Sequence, residues 1–327
     1  MGILSFLLRP SRPAPFGEVQ KLGSVRQRLT FETTTKNGAQ DLLVQAFYPA
    51  EDVRNPDAKE EPFFREQIYT EIGTKRDIPL WGLRALLDFP QIDAPLRPGK
   101  PDSSKKWPVA VFSSGLWGSC EMYTQFCRDL ASLGVIVLAL EHEDGSGIWA
   151  TSGTGEPIPY KDPPSGSTIP EFRAPQLDQR ASDLAASAFA IQSIAQSEAG
   201  HTSNTSLLAE VLRTGDANDL HFVGHSFGAA GMLTYLKDLA EKGLDCPYGS
   251  VQDYIGMALL WPSLPFSFNY GTIKLQLRVP RIVLKCLVEH AAPASRHAQE
   301  KMSRLICVPR QDHLTEMLTH RYVGNED

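Results

Sequence analysis

Five residues, Gly224-His225-Ser226-Phe227-Gly228, constrain the fold of this chain more than any other stretch. They follow the apolar run Leu220-His221-Phe222-Val223 and open the helix-favouring segment Ala229 to Lys242. A serine flanked by glycines at a strand-to-helix junction is the pattern of a nucleophile elbow. Such a turn lifts the hydroxyl out of the sheet, and the small flanking residues let a histidine and a substrate carbonyl come close. An ordinary glycine-rich turn can show the same pattern; the strand before it and the helix after it select the catalytic reading.

An elbow needs a sheet behind it, and the chain supplies one. Val25 to Thr33 and Leu42 to Tyr48 read as strands joined around Asn37-Gly38, a hairpin-turn dipeptide. Pro49 to Pro62 reads as a polar surface loop, Ile78 to Leu87 as a short apolar helix, and 94–107 as a linker within the domain. Strands then alternate with helices: Val109 to Phe112, helix Met122 to Leu133, strand Val135 to Leu140, and helix Gln176 to Ile194. Thr151 to Pro170, rich in Gly, Pro and Ser, reads as a long surface excursion. Beyond the elbow helix, strands are expected at Ile255 to Leu260, Arg281 to Val288 and Arg304 to Val308. This alternation predicts an α/β class, an α/β-hydrolase fold with a mostly parallel central sheet and helices on both faces. Its active site lies at the carboxyl ends of the strands. With 327 residues, 42% of them hydrophobic, the chain is long enough for one domain over 1–327, with 1–15 as a poorly ordered extension.

Charge and cysteine use narrow the partners. A net charge of −6 without a dense Lys/Arg run gives no attraction to nucleic acid. Five scattered cysteines form neither a disulfide framework nor a metal spacing, which fits a reducing compartment. The N-terminus lacks a basic region and a cleavage site, and Phe6 breaks the myristoylation pattern. No apolar run approaches the ~20 residues of a spanning helix. The expectation is a soluble, cytoplasmic protein that uses no metal or organic cofactor. The oligomeric state is not readable.

A serine needs a base to take its proton and a third group to orient that base. In this fold the order along the chain is Ser, acid, His. His313 lies five residues beyond the last expected strand and is the favoured base over His290, His297 and His320. Two backbone donors must meet the developing oxyanion. One is expected from the N–H of Phe227, the other from that of Leu116 in the small, flexible loop Ser113-Ser114-Gly115-Leu116-Trp117-Gly118.

Several stretches together resemble the platelet-activating factor acetylhydrolase family of plasma and cytosolic enzymes. They are Phe112-Ser113-Ser114-Gly115-Leu116, Asp129 to Gly134, Glu141-His142-Glu143-Asp144, Gln179-Arg180-Ala181-Ser182-Asp183 and the elbow itself, with Tyr48-Pro49 and Trp81-Gly82-Leu83 nearer the N-terminus. The resemblance spans roughly residues 15–320. It implies calcium-independent hydrolysis of the sn-2 ester of phospholipids carrying acetyl or short, often oxidised, acyl chains. Ser226 is then the nucleophile, His313 the base, and Leu116 and Phe227 the oxyanion donors.

Two departures matter. The family histidine after Phe-Ser is Ser114 here, which backbone donors tolerate. The family aspartate in Ala-Leu-Asp is Leu260, within Ala258-Leu259-Leu260-Trp261-Pro262, and no carboxylate lies between Asp253 and Glu289. Glu289, at the end of the next strand, is the candidate acid; Asp312 adjoins His313 and is poorly placed to turn back onto it. The third reading is that the acid is missing. The function expected is thus a serine esterase on phospholipids. The alternatives are a general short-chain carboxylesterase and a catalytically silent lipid-binding protein. Trp81, Leu83, Leu86, Leu87 and Phe89 form either an interfacial helix for peripheral membrane contact or a helix packed on the sheet.

Overall fold

The computed structural model describes residues 17–32, 39–52, 64–87, 97–196, 206–241 and 254–257. Nine strands are formed among them: β1 Leu22–Glu32, β2 Ala39–Asp52, β3 Lys100–Pro101, β4 Trp107–Ser113, β5 Ile136–Leu140, β6 Trp149–Thr151, β7 Pro157–Pro159, β8 Gly215–His225 and β9 Tyr254–Met257. Helices are α1 Glu66–Arg76, α2 Leu80–Leu87, α3 Thr124–Ser132, α4 Ile169–Gln196, α5 Leu207–Arg213 and α6 Phe227–Glu241.

The main sheet runs β1-β2-β5-β4-β8-β9, with β3 added to β2. The hairpin pair β1/β2 is antiparallel from Leu22 opposite Pro49 to Glu32 opposite Ala39, and β2 is antiparallel to β5. From β5 through β4, β8 and β9 all neighbours are parallel. This is the α/β-hydrolase arrangement. Parallel neighbours require crossovers, and these put helices on both faces.

Period-two alternation divides the core. Val109, Val111, Ile136 and Leu138 face one side, where they pack with Leu184, Ala188 and Ile191 of α4, Leu212 of α5 and Met232 of α6. Ala110, Phe112, Val137 and Ala139 face the other, against Phe126, Cys127 and Leu130 of α3. Each large apolar side chain fully buried in this way contributes about 1.5–3 kcal/mol. A third cluster, Phe64, Ile68, Tyr69, Leu83 and Ile148, with Trp117 against it, sets α1 and α2 over the loop that follows β4.

The structure departs from the sequence reading where chain breakers mislead. Helix α4 starts at Ile169 rather than Gln176 and carries Pro175 inside it. A proline removes one backbone donor, a loss of about 3 kcal/mol that burial along the remaining turns offsets. The expected surface excursion contains β7, which pairs back onto β6 with Pro159 opposite Trp149, and the linker contains β3. Helix α5, capped by the Ser206 side chain accepting from the Ala209 N–H, is too short to leave a periodic signal.

Candidate active site

Ser226 is the single residue between β8 and α6 and has φ +52°, a left-handed conformation rare for a residue with a side chain. Its neighbours explain how the turn closes so tightly. A Cβ on Gly224 would lie 2.6 Å from the Met232 sulfur and 2.7 Å from the Ala229 nitrogen. One on Gly228 would lie 2.1 Å from the Ser113 carbonyl oxygen, so only glycine lets α6 start against β4. The Ser226 side chain is half-buried, and the Phe227 N–H, first in α6, has no partner within its helix.

The loop after β4 meets this elbow. A Cβ on Gly115 would sit 3.3 Å from the Ser226 Cβ. Three of the loop's N–H groups are engaged: Gly115 donates to the Tyr123 hydroxyl (3.3 Å), Trp117 to the Ser146 carbonyl (2.8 Å) and Gly118 to the Gly115 carbonyl (3.2 Å). Among the described residues, the Leu116 N–H has no acceptor. Because C=O and N–H point opposite ways in a trans peptide, the Gly118 bond to the Gly115 carbonyl also fixes where the Leu116 N–H points.

Beneath the loop lies a polar network buried against the sheet. Arg180 of α4 is fully buried. Its guanidinium donates to the Ser114 carbonyl, to Ser113 Oγ (3.3 Å), to Ser146 Oγ (2.7 Å) and to Asp144 Oδ2 (3.3 Å). It also lies 4.8 Å from the centre of the Phe227 ring. His142 bridges Ser113 Oγ (2.8 Å, through Nε2) and Asp183 Oδ2 (2.9 Å, through Nδ1). This is a Ser-His-Asp chain by composition, yet all three side chains are buried and Ser113 Oγ already accepts from Arg180. It serves as scaffold for the loop.

Comparison with known proteins then decides the family. The sequence profile of platelet-activating factor acetylhydrolase, isoform II, matches residues 30–242, more than half of the chain. This chain belongs to the platelet-activating factor acetylhydrolase isoform II family. A protein of Schizosaccharomyces pombe provisionally named a phospholipase A2 is 30% identical over 160 residues, 46% of this chain and 35% of that protein. Platelet-activating factor acetylhydrolase of Cavia porcellus is 27% identical over 214 residues, 61% of this chain and 48% of the relative. The matches therefore span about a third to a half of the length of these relatives. A ferulic acid esterase structure from Streptomyces cinnamoneus overlaps 71% of this chain and 58% of its own, with a TM-score of 0.41 and 19% identity, too loosely to argue from.

The motifs that carry the acetylhydrolase resemblance acquire physical roles. Glu141-His142-Glu143-Asp144 leaves the end of β5, and Gln179 to Asp183 lies on the face of α4 turned to it; together they make the network under the loop. Sequence reasoning quoted them without a role. The available signal was charge placed at the end of a wholly apolar strand.

Protonation follows from burial. Burial, reinforced by the Arg180 charge, holds His142 well below its ordinary value, so it is neutral. Burial raises Asp144, but the Arg180 charge, His142 and the hydrogen bonds from Ser146 together outweigh it and keep the carboxylate charged. Burial pushes Asp183 up to about 7 from an ordinary 3.8. Between those values the folded protein binds a proton that the unfolded chain releases, so this group's contribution to stability falls as pH rises from about 4 to about 7. Asp183→Asn, which mimics the protonated acid, is expected to remove that slope, at most about 1.4 kcal/mol per pH unit. Urea unfolding of both proteins from about pH 4 to about pH 7 checks it.

A second charged cluster ties α1 to the sheet. Arg65 donates to both Glu121 and Glu141, with Arg26 3.4 Å from Glu121. Burial raises Glu121, but Arg26 and Arg65 outweigh it and hold it at about 2. Cys120, Glu121 and Glu141 place ligand-type atoms within 4.8 Å of one another, yet two guanidinium groups already satisfy the carboxylates. A cation there would have to displace them.

The remaining assignments, His313, Glu289, Asp312 and Leu260, lie outside the described residues. Strand β9 pairs in parallel with β8 and brings Met257 opposite His225.

Proposed function

We propose that this chain is a serine esterase that hydrolyses the sn-2 acetyl or short acyl ester of phospholipids. The observation that carries the proposal is Ser226, held left-handed at the end of a central parallel strand, with Gly115 against its Cβ and the Leu116 and Phe227 N–H groups at hand. Family membership supports the substrate class.

In the proposed reaction His313 removes the proton as Ser226 Oγ bonds to the sn-2 carbonyl carbon. The carbonyl oxygen becomes an oxyanion met by the Leu116 and Phe227 N–H groups. Collapse breaks the ester bond, and His313 returns its proton to the glycerol oxygen, releasing lysophospholipid. Water then attacks the acyl-enzyme by the same route and frees the short acid. Glu289 orients His313. None of these steps calls for a metal or organic cofactor.

Access to lipid is proposed through α2 and the turn before it. Ile78, Leu80 and Trp81 are exposed, Trp81 by 77%, while Leu83 turns inward beneath them. An aromatic side chain left this open suits the headgroup region of a bilayer. Among the described residues, no helix is long and apolar enough to span a membrane. A peripheral protein in a reducing, cytoplasmic setting fits the buried free thiols Cys120 and Cys127.

The test compares three substrates: a 2-acetyl phospholipid, its long-chain analogue and nitrophenyl acetate. Higher kcat/KM on the 2-acetyl phospholipid, with acetate and lysophospholipid as products, is expected. Turnover of nitrophenyl acetate with no preference for the phospholipid would indicate a general carboxylesterase. Turnover of none would indicate a silent lipid-binding protein, the reading that Leu260 motivates.

A further inference from the structure

The two proposed oxyanion donors come from different parts of the fold, Leu116 from the loop after β4 and Phe227 from the start of α6. Their N–H groups act together only if loop and elbow keep a fixed distance. Glycine at 115 allows close approach: an added Cβ would lie 3.0 Å from His225 Nδ1 and 3.3 Å from the Ser226 Cβ. Close approach alone does not hold them together.

One side chain bridges the gap. Tyr123, on the 3-10 turn Glu121–Tyr123 that leads into α3, accepts from the Gly115 N–H (3.3 Å) and lies 2.8 Å from His225 Nδ1. A phenol has one proton to give. With His225 protonated on Nε2 alone, the hydroxyl donates to Nδ1 while accepting from Gly115, and every polar atom of the bridge is satisfied. Burial lowers His225 and raises Tyr123, so both stay neutral. The phenol ring is itself wedged, 4.7 Å from Phe112 and 5.7 Å from the His225 ring by their centres. On the other side of the same peptide unit, Arg180 donates to the Ser114 carbonyl. The Ser114–Gly115 peptide is thus gripped at both its oxygen and its nitrogen.

We propose that Tyr123 is a positioning residue for ester hydrolysis: its hydroxyl, bonded to Gly115 and His225, clamps the loop carrying one oxyanion donor to the elbow carrying the other. The proposal rests on the reading of Ser226, Leu116 and Phe227 given above. A donor set held at fixed separation gains its effect in the transition state, where the oxyanion forms, and little in the ground state. Removing the hydroxyl therefore lowers kcat and leaves KM alone.

The experiment uses Tyr123→Phe, which keeps the ring and deletes the bridge. Expected is a roughly 10-fold fall in kcat with KM within about twofold of wild type, and a parallel weakening of inhibition by a trifluoromethyl ketone, whose adduct carries the oxyanion. A merely structural role would lower the unfolding midpoint without this split. His225→Asn, which retains an acceptor near the Nδ1 position, is expected to keep most of kcat, and His225→Leu to lose it. Tyr123→Phe combined with His225→Leu should cost little more than Tyr123→Phe alone, because the tyrosine substitution already deletes the bond to His225. Unchanged kcat and ketone affinity in Tyr123→Phe, with wild type active, would overturn the clamp alone. A wild type that neither turns over ester nor is captured at Ser226 would remove the reaction and the clamp together.

Discussion

Ser226→Ala is expected to lower kcat for ester hydrolysis by roughly 10⁶-fold and to abolish capture by a fluorophosphonate. The fold should survive, because alanine keeps the Cβ and the β8–α6 junction depends on Gly224 and Gly228 instead. The strain at this position gives the experiment a second readout. Holding a residue other than glycine at φ +52° costs on the order of 1 kcal/mol. Ser226→Gly should therefore be as inactive as Ser226→Ala yet more stable than it by about 1 kcal/mol in urea unfolding. Loss of activity with a gain in stability is the mark of strain kept for chemistry. Residual turnover in Ser226→Ala close to wild type would place the nucleophile elsewhere. Glu289→Gln, assayed alongside, retains slower labelling if Glu289 orients His313, and matches wild type if it has no such role.

How much of this was legible beforehand depends on the range of the interactions. The elbow was legible because its determinants are local: glycine at 224 and 228, an apolar run before and helix formers after. The mostly parallel sheet followed from the alternation of strands and helices along the chain, and burial of β4 and β5 on both faces follows from their almost wholly apolar sequences. The network was not legible in the same way. Arg180 and Ser114 are 66 residues apart, and Tyr123 and His225 are 102 apart. Nothing in a local pattern says that a histidine at the end of β5 meets an aspartate on α4. Prolines misled in the other direction, since the helix read from Gln176 starts at Ile169 and carries Pro175 inside it. The substitution Ser114, read as tolerable because backbone groups form the oxyanion hole, has a structural counterpart. The residue is buried and works through its carbonyl.

Arg180→Met is expected to be the most destabilising substitution in the network, by about 3–5 kcal/mol. The methionine fills much of the volume, so packing is not the reason. The cost arises because Asp144, almost wholly buried, loses its ion pair and must either stay charged without a partner cation or take up a proton, while the Ser114 carbonyl loses a donor. Against a total stability of about 5–15 kcal/mol, that is about a fifth or more of the fold. Removing the stranded charge should recover part of it: Arg180→Met with Asp144→Asn is expected to be more stable than additivity predicts by about 1–3 kcal/mol. Arg180→Lys keeps the charge, but an ammonium cannot span Asp144, Ser146 and Ser114 at once, so an intermediate loss is expected. Equilibrium unfolding of wild type, Arg180→Met, Asp144→Asn, their double variant and Arg180→Lys measures all three terms. The arginine has no nearby substitute because the fold was shaped around it. A Cβ on Gly231 of α6 would stand 2.9 Å from the Arg180 Cβ, so α4 and α6 approach closely just where the guanidinium reaches under the loop. From there it touches the Phe227 ring and the Ser114 carbonyl together, on one proposed oxyanion donor and two residues before the other. Arg180→Lys should accordingly lose kcat as well as stability, and a variant that lost stability alone would confine Arg180 to the core.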